Sequence, residues 1–220
     1  AREREQREFA AYFYRAGCSV EQTEMLSRHL LASKRFYEPV PSKFSTISDN
    51  ELIEIGGRQW KIIIGRGHSS EHASLYCDEI GTLISGDQIL PKITPTIILQ
   101  TYDINSDPLR SFLTSNQKFR TLRHDTFVLP SHNKPFHGLH LRLDQYEAHH
   151  YERLERTYDA CLSGATAIEI SDVLFSKNPD PYHLFFSIGE TLSHLRYLER
   201  DERIIVDDGG QGIAIYRQSN

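Results

Sequence analysis

The chain has 220 residues, 25 basic and 30 acidic side chains, a net charge of −5, 39% apolar residues and three cysteines. Eleven Tyr, eleven Phe and one Trp supply enough apolar surface for a core, which excludes wholesale disorder. No run approaches the roughly 20 apolar residues of a membrane helix, and the charged opening lacks the apolar core of a secretory peptide. The negative balance argues against a general binder of nucleic acid or of anionic membranes.

Cys18, Cys77 and Cys161 are odd in number and far apart. None belongs to a Cys-x-x-Cys pair, so the chain reads as cytoplasmic rather than as a disulfide scaffold. The first helix is expected from Arg2 to Arg15, where Phe9, Tyr12 and Phe13 recur at the spacing of one helix face. Gly17 suits its stop. A second helix is expected from Val20 to about Arg35, ended by Pro39 and Pro41. From Glu51 the pattern changes. Leu52–Ile55, the pair Gly56-Gly57, and Trp60–Ile64 read as two strands joined by a glycine turn. Ala73–Cys77 and Thr82–Ser85 are a third and a fourth strand. Pro108–Phe119 reads as a helix with Pro at its first turn, and Thr126–Leu129 as a strand stopped by Pro130. Strands alternating with helices predict a layered α/β domain.

A long charged helix is expected to follow His137 and to close at Gly164. Shorter helices are predicted at Ala167–Phe175 and Ser187–Glu199. Ile204–Val206 and Ile213–Tyr216 then flank the turn Asp208-Gly209-Gly210. Helix, helix, hairpin is the outline of a winged helix-turn-helix. The expected division is residues 1–150 for the α/β part and 151–220 for the winged-helix part.

Three segments place a His or an Asp on a loop at the end of a strand: GRGHSSEHASLY around His68, LISGDQIL around Asp87, and VLPSHNKPFHG around His132. Imidazole and carboxylate suit zinc, and also iron or manganese. Each segment has a plainer reading as well. His68 and His132 serve equally as exposed loop residues, and Asp87 can shape a turn through its own backbone. His149-His150 with Glu152 looks like a cluster, but adjacent helix residues point about 100° apart, so it reads as helix surface plus one packing contact. Gly56-Gly57 and Gly209-Gly210 lack the strand-loop-helix setting of a phosphate loop.

The series Gly67-His68-Ser69-Ser70-Glu71-His72, Ser85-Gly86-Asp87 and Pro130-Ser131-His132 resembles the later half of the metallo-β-lactamase superfamily. Its pattern there is GHTxxH, SGD and PGH, in that order. The resemblance covers about Leu52 to Lys134. It implies a four-layer αββα sandwich, here without its N-terminal part. It also implies two divalent metals, zinc with iron or manganese as alternatives. His68 would bind the first metal, Asp87 would bridge the two as the catalytic carboxylate, and His132 would bind the second. His72 would order the loop beside these ligands. The implied reaction is hydrolysis of a thioester, lactone, amide or phosphodiester by metal-activated hydroxide, acting on a small-molecule substrate. Phe136, His137 and His140 pack on the next helix or line the pocket.

The family's leading His-x-His-x-Asp-His motif is absent from these residues, so the chain is expected to be a fragment. The segments Gly164–Phe175 and Gly189–Ile204 resemble the winged-helix domain of the β-lactamase-like protein 2 branch, which includes an endoribonuclease. Residues 151–220 carry seven basic and twelve acidic side chains, a poor match to duplex DNA. Packing on the hydrolase, shaping its rim, or a homodimer contact fits better. Two alternatives stay open: a metal-free, non-catalytic module on the same fold, and a winged-helix binder of nucleic acid with RNA as its partner. No membrane partner is expected.

Overall fold

The computed structural model describes residues 2–33, 41–175 and 180–219. Two compact units interleave along the chain. One holds Ser42–Ile97 and Pro108–Tyr151, and the other Ala1–Pro41, Ile98–Asp107 and Glu152–Asn220. The sequence reading places the first two helices with the α/β part; they cluster with the C-terminal residues.

In the first unit, β1 (Leu52–Ile55), β2 (Arg58–Gly65), β3 (His72–Cys77), β4 (Thr82–Gly86) and β5 (Phe127–Pro130) form one sheet in chain order. Ile55 pairs with Arg58 across Gly56-Gly57. These glycines take φ of +61° and +76°, as a two-residue turn matched to the strand twist requires. β1 to β4 are antiparallel, while β5 adds parallel to β4 with Thr82 opposite Phe127. One sheet face is closed by the cross-strand neighbours Tyr76, Leu83 and Val128, all buried. Among the described residues this is the larger of two sheets; the other is two-stranded.

The helix expected at Pro108–Phe119 divides into α3 (Pro108–Asn116) and a 3-10 turn at Gln117–Thr121. Phe112 of α3 is fully buried, its ring 5.6 Å from Tyr146 on α4 (Leu139–Ala160). The Tyr146 hydroxyl donates to the Leu90 carbonyl at 2.9 Å and accepts from the Leu90 amide at 2.7 Å. Arg142, stacked 4.3 Å over the same ring, donates to the carbonyls of Leu90 and Ile93. A buried guanidinium needs such acceptors. Together these bonds fix the strandless segment that follows Asp87.

In the second unit, α1 (Arg2–Arg15) packs on α2 (Val20–Ser33), and α2 on α6 (Pro181–Arg200). The expected extension of α2 to Arg35 lies outside the described residues. α5 (Ala167–Leu174) also packs on α6. It opens with a capping box in which Thr166 and Glu169 satisfy each other's backbone amides. α6 begins six residues before the expected Ser187, because Asp180 caps the His183 amide and Pro181 occupies the first turn. The hairpin β6 (Ile204–Asp208) and β7 (Ala214–Gln218) closes the unit. Phe13, Leu26, Ile188 and Leu195 form part of its core.

Candidate metal centre

Strand direction gathers the three loops. β2, β4 and β5 run the same way, and β3 runs against them. The chain therefore leaves β2, β4 and β5 at one end of the sheet, and β3 starts at that end with His72. His68 lies just beyond β2, Asp87 follows β4 directly, and His132 comes two residues after β5.

Asp87 is the hub. His68 Nε2 stands 3.5 Å from its Oδ2, and His132 Nε2 stands 3.3 Å from its Oδ1. The Ser131 hydroxyl donates to the same Oδ1. His68 and Asp87 are about 30% exposed and His132 is mostly exposed, so solvent and solutes can enter. The sequence thus brings His68, Asp87 and His132 together, although their spacing alone did not require it. Each imidazole faces a different oxygen. No three His, Cys, Asp or Glu groups among the described residues are arranged to hold one ion.

Hydrogen bonding fixes two tautomers. His68 Nδ1 is 3.0 Å from the Thr96 carbonyl, which only accepts, so Nδ1 carries the proton. The Nε2 lone pair then points at the Asp87 carboxylate. Two lone pairs face each other unless a proton or a cation stands between them. His72 takes the same tautomer, but its Nε2 already has a partner. Its Nε2 accepts from the Asp87 amide at 3.1 Å, so that lone pair is already used and Nδ1 is protonated. Nδ1 is buried without a hydrogen-bond partner. Burial, followed by the nearby His68, pulls the His72 pKa down. His72 is therefore set to hold the Asp87 backbone.

Glycine makes this packing possible. Gly86 has φ +52°, and a Cβ there would lie 2.6 Å from the His72 ring. Below the site, Gln88 is fully buried and donates to Asn116 Oδ1 at 2.7 Å and to the Arg66 carbonyl at 3.3 Å. That bond set pins the roots of the His68 and Asp87 loops to each other.

Thr96, Gln88 and Asn116 were given no role from the sequence, and Ser131 was noted only as part of the Pro130-Ser131-His132 motif. A carbonyl contact such as that of Thr96 leaves no residue-type signature, although a polar Gln88 before the apolar Ile89-Leu90 was a readable signal. His137 and His140 turn to the carbonyls of Asp125 and Leu122, and Phe136 bridges Val128. His150 is buried against Phe112.

The sequence comparison decides the family. The model of the metallo-beta-lactamase superfamily matches residues 4–132. The chain belongs to that superfamily. A second model, the metallo-beta-lactamase-like C-terminal domain, matches residues 154–219. The Probable metallo-hydrolase YqjP of Bacillus subtilis is 27% identical over 168 residues, which is 72% of this chain and 51% of that protein. A Beta-lactamase-like protein 2 homolog of Caenorhabditis elegans is 26% identical over 149 residues, 66% of this chain and 47% of that protein. The chain spans about half the length of these two relatives.

Among solved structures, a beta-lactamase domain protein from Burkholderia ambifaria has a TM-score of 0.87 and 31% identity, covering 94% of this chain and 60% of that one. A metallo-beta-lactamase family protein from Thermus thermophilus has a TM-score of 0.71 and 30% identity, covering 81% of this chain and 56% of that one. The fold of this superfamily member is the metallo-beta-lactamase fold.

Proposed function

We propose that the protein carrying this chain is a metal-dependent hydrolase of a thioester, lactone, amide or phosphodiester. One observation supports this most directly: His68 Nε2 and His132 Nε2 face the two oxygens of the Asp87 carboxylate at 3.5 and 3.3 Å, a convergence of donors that a cation can bridge. The donor types fit zinc, iron or manganese, with His68, Asp87 and His132 supplying part of the ligand set. When bound, a divalent metal lowers the pKa of water from 15.7 to about 7 and polarises the scissile oxygen.

The residues of this chain have their own tasks. Thr96 orients His68 through Nδ1. His72 holds the Asp87 backbone, and Ser131 holds one Asp87 oxygen. Asp87 then has its second oxygen directed to His68 and keeps a fixed position between the imidazoles. For residues 154–219 we propose a winged-helix accessory role at the hydrolase rather than duplex binding. Their acidic balance supports that reading. We also assign the protein to the cytoplasm, since Cys18, Cys77 and Cys161 are free thiols. Among the described residues no helix is long and apolar enough to cross a membrane.

The test uses the protein with its natural termini. Metal analysis is expected to find about one to two equivalents of zinc, iron or manganese. His68→Ala and Asp87→Asn are expected to lose metal and to slow hydrolysis of model thioesters, lactones or phosphodiesters by about 100-fold or more. Metal-free protein with variants indistinguishable from wild type would instead establish a non-catalytic module.

A further inference from the structure

The helical unit contains a cavity of about 290 Å³ that the hydrolase reading does not use. Its walls come from α1, the segment after Ile98, α6 and β7, all within one unit. Most of the lining is apolar and includes Leu99, Ile104 and Leu192. This volume lies near the lower end for small-molecule sites, which are mainly apolar with a few placed polar groups.

The polar lining is Glu8, Tyr12, Arg15, Thr101, Arg196 and Tyr216, in which two guanidiniums face one carboxylate. Arg15 and Arg196 both line the cavity. Arg15 makes no ion pair or hydrogen bond with a described residue. Arg196 is 3.2 Å from Glu199. The acid on the same wall, Glu8, is engaged by Arg4 at 2.8 Å. Among the described residues the Arg15 guanidinium is thus left without a counter-charge.

Two phenols also reach the cavity, and they differ. Tyr12 donates its hydroxyl to the Leu99 carbonyl at 2.6 Å and is committed. Tyr216 is 8% exposed, yet its hydroxyl makes no hydrogen bond with a described residue. Burial pushes its pKa up to about 12, against the pull of Arg15 and Arg196. It remains a neutral O–H donor at physiological pH.

We infer that this cavity binds a small carboxylate with an apolar body, its anion held by Arg15, Arg196 and the Tyr216 hydroxyl. Guanidiniums and a phenol match carboxylate lone pairs through charge-assisted bonds. The aliphatic wall buries the body of the ligand, and an inorganic anion leaves that wall unused. The site is independent of the proposed hydrolysis.

Octanoate is the probe, titrated calorimetrically into the protein with its natural termini; octan-1-ol and inorganic sulfate are the controls. Octanoate is expected to bind saturably at one site per chain. The alcohol and sulfate are each expected to bind at least about tenfold more weakly. Arg15→Gln and Arg196→Gln each weaken octanoate by about tenfold, and Tyr216→Phe by about fivefold. Arg15 is exposed, so its variant tests the charge without disturbing the core, and thermal melting checks the other two. No saturation up to about 10 mM, equal binding of the alcohol, or variants that bind like wild type would each overturn the inference.

Discussion

The two units manage their polar side chains in opposite ways. In the sheet unit, three groups near the centre are pinned by named neighbours: Asp87 by His72 and Ser131, His68 by Thr96, Gln88 by Asn116. In the helical unit, the Glu190 carboxyl on α6 sits largely surrounded by protein, and burial pushes its pKa up to about 7, against the attraction of Arg153. The first arrangement fixes geometry at the cost of sequence freedom, since few residues can replace each partner. The second leaves a pH-sensitive term in the stability. The candidate centre is built in the first way.

The largest expected loss in the sheet unit is Phe112→Ala. That ring is fully buried beside Tyr146 and His150, so the cavity left behind costs about 3–5 kcal/mol, read by denaturant titration. A smaller loss would mean that the unit collapses around the hole and is less rigid than its hydrogen bonds imply.

Glu190→Gln should act with the opposite sign. Folding raises this carboxyl pKa from 4.5 to about 7. The folded state therefore holds a proton that the unfolded state has released, and stability falls as pH rises between these values. Below pH 4.5 both states are protonated and the term vanishes. The amide variant is expected to gain up to about 3 kcal/mol over wild type at pH 8 and little at pH 4. Parallel pH profiles for the two proteins would erase the contrast between the units.

Gly86→Ala places a Cβ against the His72 ring at a positive φ. About 1–3 kcal/mol is expected from the backbone strain, together with weaker retention of any metal at Asp87, read by calorimetry and metal analysis. Thr166→Ala is the mildest. It removes one half of the α5 capping box and should cost about 1 kcal/mol, seen as a small fall in melting temperature.

Much of the fold was legible in the sequence. Alternating Leu, Ile and Trp around Gly56-Gly57 specified the first hairpin, and Pro108 the start of α3. Periodicity shows which face of a helix is buried, but not against what. The pairing of α2 with α6, far apart in the chain, was therefore invisible, as was the clustering of the first two helices with the C-terminal residues. The early start of α6 at Pro181 was missed because its Asp180 cap sits before an aromatic stretch that reads poorly as a helix face. His68, Asp87 and His132 became candidates through a family resemblance. Composition alone left them as loop residues, since the directions of β2, β4 and β5 that bring them together follow from pairing and not from any local pattern.

The parallel join of β4 to β5 has a consequence for how the candidate centre is assembled. Residues 88–126 must close a long loop before Phe127 can pair with Thr82, and closure entropy opposes such non-local pairing. The Asp87 carboxylate and the His132 imidazole are strangers in the nascent chain and meet only once that crossover is complete. The proposed site therefore depends on a non-local pairing, whereas the β1 to β4 meander rests on contacts local in the chain.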